Sequence, residues 1–274
     1  MPEWALYPPR LAVGQAGLLS IREPEGVWVT GFFLGKTVNF QKTGGILRAI
    51  LPADLFSSPG TYPLTLSFEQ IDNGTLHSED VGIEVEPYSF PVEGLELPEH
   101  MVTLPPDVQE RVESEKKQIE SILNMMPREE LWQDGFLKPV DGNVSGLFGS
   151  RRIMNGKERS RHLGVDIGGK EGDPVFSSNK GRIALIGDFY LTGKTVIVDH
   201  GQGVFTIYCH LSKVFAEEEA KIGRGEILGE VGSTGRSTGP HLHWGARVCG
   251  ARVDPLSLVQ STAGFASASF APLR

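Results

Sequence analysis

The chain has 274 residues, of which 26 are Lys or Arg and 34 are Asp or Glu, giving a formal net charge of −8. This length is sufficient for two domains, and the ordinary apolar and charged contents indicate a folded protein. The sequence has an acidic balance and no basic run. Nucleic acid is therefore not expected as the main partner, because phosphate binding needs clustered Lys and Arg. No apolar run reaches the roughly 18–20 residues of a membrane-spanning helix, so no transmembrane segment is expected.

The first residues and the two cysteines leave the compartment open. Residues 1–19 contain prolines and Glu3, and they lack a basic start followed by an apolar core, so they do not resemble a secretory signal. Two cysteines, Cys209 and Cys249, do not make a disulfide framework.

Residues 1–90 are predicted to form an immunoglobulin-like β-sandwich. The segments LAVGQAGLLSI, GVWVTGFFLG, GGILRAILP and GTYPLTLSFEQ are rich in β-branched and aromatic residues and are separated by turn-forming residues. Several short strands at this spacing favour a compact antiparallel sandwich, and SSPGTYPLTLSF resembles the later strands of an immunoglobulin-like module.

Residues 91–132 are predicted to be a linker that contains one helix. The stretch EPYSFPVEGLELPEH has three prolines and no regular period. Apolar residues then recur at helical spacing from Val108 to Met126, with Pro105–Asp107 at the start and Pro127 at the end. A charged helix with one apolar stripe is most often a strut packed on a neighbouring domain.

Residues 133–262 are predicted to form a second, antiparallel β domain, followed by a C-terminal tail at 263–274. The segments GRIALIG, KTVIVDHG, GVFTIYCHL, GEILGEVGSTG and HLHWGARV combine strand-forming residues with frequent glycines, which suit tight turns and bulges. The whole chain is therefore expected to be mainly β.

Five of the seven histidines fall in this second domain, and two of them are one residue apart. Side chains at i and i+2 of a strand share a face, so His241 and His243 should project together, with Leu242 turned into a core. An isolated His-x-His is more often a polar strand face than a metal site. His210 is a further candidate, whereas His200, before a Gly-x-Gly turn, is expected to be structural.

His162 and Asp166 can share a metal only if the chain between them bends. Four residues of ideal strand separate two Cα atoms by about 13 Å, which is too far for bonds of about 2 Å. Gly164 permits a bend or bulge, and a surface ion pair is the alternative for this pair. Histidine and carboxylate are ordinary ligands of a hydrolytic zinc ion, for which three protein ligands leave one position open.

His210 follows Cys209 on a predicted strand, so the two side chains should point to opposite faces. If His210 faces the site, Cys209 is a small buried residue rather than a nucleophile, and a Cys209–Cys249 disulfide is not favoured. The sequence contains no His-Glu-x-x-His, no Gly-x-Ser-x-Gly and no P-loop ending.

Three segments, RHLGVDIGG, IYCHLS and STGPHLHWGAR, occur in this order and resemble the lysostaphin-type zinc metallopeptidases, the peptidoglycan-hydrolysing endopeptidases of bacteria. SGLFGSRR upstream and VDPLSLV downstream match as well, so the resemblance covers roughly Val140 to Val259. It implies an antiparallel metallopeptidase domain with a duplicated-hybrid-motif-like barrel or sandwich.

The resemblance also implies roles for five residues. His162, Asp166 and His243 would bind one Zn²⁺ per chain, and His210 and His241 would be the unliganded catalytic histidines. One of the two would accept the proton of the attacking water while the other stabilises the oxyanion, and the sequence leaves their order open.

The implied activity is hydrolysis of peptide cross-links in peptidoglycan, with stem or cross-bridge peptides as partners. The site of action would be periplasmic or extracellular, and the signal peptide is expected to lie outside this chain. The alternative is a catalytically inactive wall-binding module that activates another hydrolase. The presence of all three ligands and both catalytic histidines favours the enzyme.

One departure from the family pattern concerns the substrate groove. Many members carry an aromatic-Gly-Asn turn where this chain has LTGKTV. Tyr190, Lys194 and Trp244 are predicted to line the groove, with core packing as the alternative for Trp244.

Overall fold

The structure is a computed structural model that describes residues 3–95, 104–127 and 129–264. The predicted tail at 263–274 lies outside these residues except for Ala263 and Gly264. Strands dominate the described residues, so the predicted mainly β class is confirmed. Neither helix of the described residues is long and apolar enough to cross a membrane.

The strands and helices of the described residues have the following bounds. The strands are β1 (Trp4–Tyr7), β2 (Leu11–Ala12), β3 (Ala16–Arg22), β4 (Val27–Phe33), β5 (Lys36–Val38), β6 (Gln41–Thr43), β7 (Ile46–Pro52), β8 (Gly60–Gln70), β9 (Leu76–Glu86), β10 (Val92–Leu95), β11 (Val144–Gly146), β12 (Arg151–Met154), β13 (Lys157–Arg161), β14 (Gly164–Gly168), β15 (Pro174–Phe176), β16 (Gly181–Phe189), β17 (Gly193–Asp199), β18 (Val204–Leu211), β19 (Lys213–Val214), β20 (Lys221–Ile222), β21 (Ile227–Glu230), β22 (His241–Val248) and β23 (Ala251–Val253). The helices are α1 (Pro106–Leu123) and α2 (Pro255–Thr262).

The strands β1 to β9 form two packed sheets. One has the order β1-β3-β7-β6 and the other β2-β9-β8-β4-β5. If the strands are lettered A, A′, B, C, C′, D, E, F and G along the chain, these orders are ABED and A′GFCC′, the arrangement of an immunoglobulin sandwich. Alternate residues of the strands fill the core between the two sheets. In β8, for example, Leu64, Leu66 and Phe68 are buried, and the residues between them are not.

The second half of the chain is built on an eight-stranded sheet. Its order is β11-β14-β22-β18-β17-β16-β20, with β23 paired to β22. One face packs against the small sheet β15-β21-β19 around a core that includes Val165, Val196, Tyr208 and Leu242. We call the opposite face, which carries Asp166, the site face.

Helix α1 packs on the site face of the eight-stranded sheet. It begins at Pro106, which is tolerated in the first turn because the N–H it lacks has no partner there. Its apolar stripe places Leu123 against Ile197 and Phe205 of the sheet. The sequence predicted a helix over Val108–Met126, so its existence is confirmed, and its C-terminal end comes earlier than predicted.

A further apolar cluster joins the sandwich to the second half of the chain. Ala16 and Leu18 of β3 are buried together with Trp132 and Val248. The backbone N–H of Ala16 also donates to the hydroxyl of Ser257 in α2, at 2.9 Å. The two halves therefore share a buried core.

Candidate active site

The three predicted metal ligands meet on the site face of the sheet. His162 Nε2 lies 3.0 Å from Asp166 Oδ1 and 3.0 Å from His243 Nδ1, and His243 Nδ1 lies 2.9 Å from Asp166 Oδ1. Asp166 of β14 stands directly opposite His243 of β22 in the antiparallel ladder, so the two side chains project together. We refer to these three residues as the metal cluster.

His162 reaches the cluster because the chain breaks between two strands. β13 ends at Arg161 and β14 begins at Gly164, so His162 lies in the bend that its spacing from Asp166 requires. Gly164 serves the close approach of β22, since a Cβ there would lie 2.4 Å from the carbonyl oxygen of Trp244. The bend and the close approach of the two strands together bring the side chains of His162 and Asp166, four residues apart, into contact.

The orientation of His162 and the ionisation of Asp166 fit a bound cation. His162 Nδ1 lies 2.9 Å from the carbonyl oxygen of Leu147, which can only accept, so Nδ1 donates this hydrogen bond and Nε2 is the nitrogen that faces Asp166 and His243. Burial raises the pKa of the Asp166 carboxyl, but interactions with His162 and His243 outweigh burial and hold that pKa well below its ordinary value. The two imidazoles and the ionised carboxylate therefore bring three possible ligand atoms within 4.8 Å of one another, close enough to bind one cation. Two imidazoles and one carboxylate form the ligand set of an open zinc site.

His241 lies beside the cluster at the start of β22. Its Nδ1 donates to the carbonyl oxygen of Gly239 at 2.8 Å, which leaves Nε2 as the free nitrogen. That Nε2 is 3.7 Å from Asp166 Oδ1. His241 and His243 thus share a face, as the strand period predicts, and Leu242 between them is fully buried in the core.

His210 completes the group from the end of β18. Its ring centroid lies 5.0 Å from that of His241 and 6.0 Å from that of His243. Its Nδ1 donates to the carbonyl oxygen of Thr234 at 2.8 Å, which again leaves Nε2 free. Burial lowers the pKa of His210 to about 4 and also lowers the pKa of His243. Both imidazoles are therefore neutral near pH 7, and neutral imidazole can bind a metal or accept a proton.

The predicted alternation of Cys209 and His210 is wrong. Cys209 stands opposite His243 in the ladder, so it shares the site face. His210 reaches the same face because its φ is +63°, outside the extended range, and its backbone N–H donates to Thr192 O. Cys209 is nevertheless buried, and burial raises the pKa of its thiol to about 12, so it is not a reactive nucleophile. It forms no disulfide with Cys249.

The three predicted groove residues have different surroundings. Trp244 is fully buried in the core on the opposite face and does not line a groove, because adjacent strand residues point to opposite sides. The backbone N–H of Tyr190 donates to Glu115 of α1 at 2.9 Å, and Lys194 Nζ donates to Ser212 O at 2.9 Å. The roles of Tyr190 and Lys194 in substrate binding stay predictions.

Helix α1 forms one wall of a cavity beside the metal cluster. The cavity has a volume of about 190 Å³, and its lining includes Ile119 of α1, Leu163, Ile207 and His243. The space next to the cluster is therefore bounded by a helix that lies outside the second domain predicted from the sequence.

The sequence did not point to the groups that orient the site residues. Three are the carbonyl oxygens of Leu147, Thr234 and Gly239, which have no side-chain signal because they belong to the backbone. The fourth is Arg152, whose Nη2 donates to Asp166 Oδ2 at 2.9 Å. Arg152 is the last residue of SGLFGSRR, a segment that matches the lysostaphin-type family, so this residue could have been found from the resemblance.

Comparison with known proteins identifies the family that part of this chain matches. Residues 160–255 match Peptidase family M23. The chain is 43% identical over 119 residues to DD-carboxypeptidase/endopeptidase Mpg of Neisseria meningitidis serogroup B, an alignment that covers 43% of this chain and 27% of Mpg. It is 36% identical over 121 residues to Peptidoglycan DD-endopeptidase ShyA of Vibrio cholerae, covering 43% of this chain and 28% of ShyA. The chain therefore spans little more than a quarter of the length of these relatives.

A solved structure extends the similarity beyond the matched region. A crystal structure of a candidate M23 peptidase from Pseudomonas aeruginosa superimposes with a TM-score of 0.67 at 28% identity, covering 92% of this chain and 96% of the other. Residues 160–255 are a peptidase family M23 domain, and all five predicted metal and catalytic residues lie within it. The resemblance to lysostaphin-type metallopeptidases is confirmed for this domain.

Proposed function

We propose that this chain is a zinc-dependent endopeptidase that hydrolyses peptide cross-links of bacterial peptidoglycan. His162, Asp166 and His243 hold the zinc ion, and His210 and His241 are the catalytic residues. The observation that carries the proposal is the arrangement of five side chains at one point: His162, Asp166 and His243 bring their ligand atoms within 4.8 Å of one another, and His210 and His241 lie beside them with Nδ1 bound to backbone carbonyls.

The names of the relatives support the substrate class. Mpg is named a DD-carboxypeptidase/endopeptidase and ShyA a peptidoglycan DD-endopeptidase. The chain would act where peptidoglycan lies, in the periplasm or outside the cell. Stem or cross-bridge peptides are the substrates.

The mechanism divides between the metal and the two histidines. Zinc, when bound, polarises a carbonyl and makes water a nucleophile near neutral pH. His210 and His241 each bind a backbone carbonyl through Nδ1, which leaves Nε2 for proton transfer, so one of them accepts the proton of the attacking water on Nε2. Through the same Nε2, that imidazolium then gives the proton to the leaving amine. The other histidine stabilises the oxyanion by carrying a proton on its own Nε2 and donating it in a hydrogen bond. The carbonyls of Thr234 and Gly239 hold both rings in the required orientation.

The first test separates metal binding from catalysis. His210→Ala and His241→Ala should each lower kcat on purified peptidoglycan by about 10²–10⁴-fold, because each removes a proton-transfer or charge-stabilising group. Both variants should keep the zinc content of the unmodified chain, since neither residue belongs to the metal cluster. The measurements are the rate of fragment release and the zinc content of the same samples.

His77→Ala is the matched control, because His77 is an exposed histidine on β9 in the sandwich. Unchanged hydrolysis in both active-site variants would contradict the assigned roles. Zinc-loaded wild-type protein that releases no peptide would instead support the inactive, wall-binding alternative.

A further inference from the structure

A chain of two ion pairs connects the linker to the metal cluster. Arg152 Nη2 donates to Asp166 Oδ2 at 2.9 Å, and Arg152 Nε donates to Glu93 Oε2 at 3.1 Å. The exposed fractions of these side chains are only 23% for Arg152, 29% for Glu93 and 15% for Asp166. Partly buried, charge-assisted hydrogen bonds of this kind are stronger than surface ion pairs.

Backbone pairing fixes this arrangement. β10 runs parallel to β12, and Glu93 is the register partner of Arg152 in that pair. Both strands lie outside residues 160–255, so two of the three charged groups come from outside the M23 domain.

The Arg152 guanidinium takes up the second oxygen of the Asp166 carboxylate. Asp166 Oδ1 faces His162 and His243, whereas Oδ2 faces Arg152. Gly146 leaves the space for Oδ2, since a Cβ at position 146 would lie 2.5 Å from that atom. The carboxylate is thus held with only one oxygen turned toward the metal cluster.

A guanidinium close to a cation site is electrostatically unfavourable unless anions compensate it. Glu93 supplies that compensation, because the Arg152 guanidinium contacts Glu93 through Nε as well as Asp166 through Nη2. Groups that hydrogen-bond to a ligating carboxylate orient it, and their loss typically costs about 10–100-fold in metal affinity or activity.

We propose that Arg152 is a positioning residue that holds Asp166 as a one-oxygen metal ligand, and that Glu93 of the linker strand β10 acts through Arg152. This inference rests on the proposed zinc site. Because binding couplings are reciprocal, pairing of β10 with β12 raises zinc affinity, and bound zinc favours that pairing. The linker thereby completes a metal site whose three ligands all lie in the M23 domain.

The test measures zinc affinity by competition with a chelator in the full chain. Arg152→Met should weaken zinc binding by about 10–100-fold, because the Asp166 carboxylate loses its orienting partner. Glu93→Gln should weaken it by a smaller factor. In the double variant the Glu93→Gln change should have no additional effect, since a residue that acts through Arg152 cannot act in its absence.

A spectroscopic readout distinguishes positioning from general stabilisation. With Co²⁺ in place of zinc, Arg152→Met should reduce the visible absorption, because a released Oδ2 can join the metal and raise its coordination number. Arg152→Lys keeps the charge but not the two separate donors, Nε and Nη2, that contact Glu93 and Asp166, so its visible absorption should fall between those of wild type and Arg152→Met. Arg182→Met is the matched control, since it breaks the exposed Arg182–Glu129 ion pair.

Different results would contradict this inference and the proposed function. Zinc affinity of Arg152→Met within twofold of wild type, or an equal effect of Glu93→Gln with and without Arg152, would overturn the inference while hydrolysis by the wild type stands. Zinc affinities that follow the expected order in a protein without hydrolytic activity would support the inference and contradict the proposed function.

Discussion

His200 illustrates how burial fixes the protonation state of a residue outside the active site. Its side chain is fully buried, with Nδ1 2.9 Å from Lys180 O and Nε2 2.7 Å from the Thr206 hydroxyl. Burial lowers its pKa from 6.5 to about 4, so the ring is neutral in the folded protein. The sequence predicted a structural role for this histidine, and these contacts agree with that role.

The lowered pKa of His200 predicts a pH-dependent contribution to stability. The unfolded chain binds the proton with a pKa of 6.5 and the folded chain with a pKa of about 4. The neutral His200 ring therefore contributes fully to the free energy of unfolding above pH 6.5. As the pH falls toward 4, the protein loses up to about 3 kcal/mol of this stability. Asp254 acts in the opposite direction, because burial raises its pKa to about 6.

A comparison with His200→Gln isolates this residue from the others. The difference in unfolding free energy between wild type and variant, from urea denaturation, should be largest at pH 7 and should shrink as the pH falls to 5. A difference that stays constant over this range would show that His200 is not kept neutral by burial.

The partly exposed carboxylate of Glu120 helps to hold helix α1 on the sheet, in addition to the apolar stripe of the helix. Glu120 accepts hydrogen bonds from Arg247 at 2.9 Å and from Arg252 at 3.5 Å. The Arg247 side chain is only 3% exposed, and burial lowers its pKa. A buried guanidinium without its carboxylate is costly, so Glu120 matters more than a typical surface residue.

Replacing Glu120 with Gln should therefore destabilise the protein by about 1.5–3 kcal/mol, the range for a hydrogen bond to a charged group. Urea unfolding measures this value, and Glu113→Gln, an exposed change on the same helix, is the control. Equal and small effects of the two changes would mean that Glu120 does not anchor the helix.

The two helices differ in how well the sequence predicts them. α1 has a long apolar period and a proline at each end, and both are local signals. Helix α2 was not predicted from the sequence, because it has only eight residues and no clear apolar period. Its local signals were Asp254, whose carboxylate accepts from the Leu256 N–H, and Pro255 in the first turn.

At the scale of the whole molecule, the residues of the site could be predicted from the sequence because they lie in three recognisable motifs. The resemblance carried by the three motifs implied which five residues converge. The register between β14 and β22 brings Asp166, His241 and His243 together, whereas His162 comes from the connection before β14 and His210 from the end of β18. The shared face of Cys209 and His210 and the contact between Glu93 and Arg152 could not be predicted. The first depends on the positive φ of His210, and the second depends on the parallel pairing of two strands that lie far apart in the sequence.

The sandwich and the M23 domain are also joined by direct hydrogen bonds. Leu55 N donates to Arg252 O at 3.0 Å, and Arg252 N donates to Asp54 Oδ2 at 2.7 Å. Together with the shared apolar cluster, these bonds tie the first half of the chain to the strand β23. The division at residues 90 and 132 stays a prediction about domain boundaries.

The central claim is that the metal cluster binds zinc and that this zinc supports peptide-bond hydrolysis in peptidoglycan. The most direct measurement is the zinc content of the purified chain, made together with mass analysis of the fragments it releases from peptidoglycan. We predict one zinc per chain and new peptide termini, both lost with a chelator and restored by added zinc. A chain that binds no zinc and releases no fragments would contradict the account.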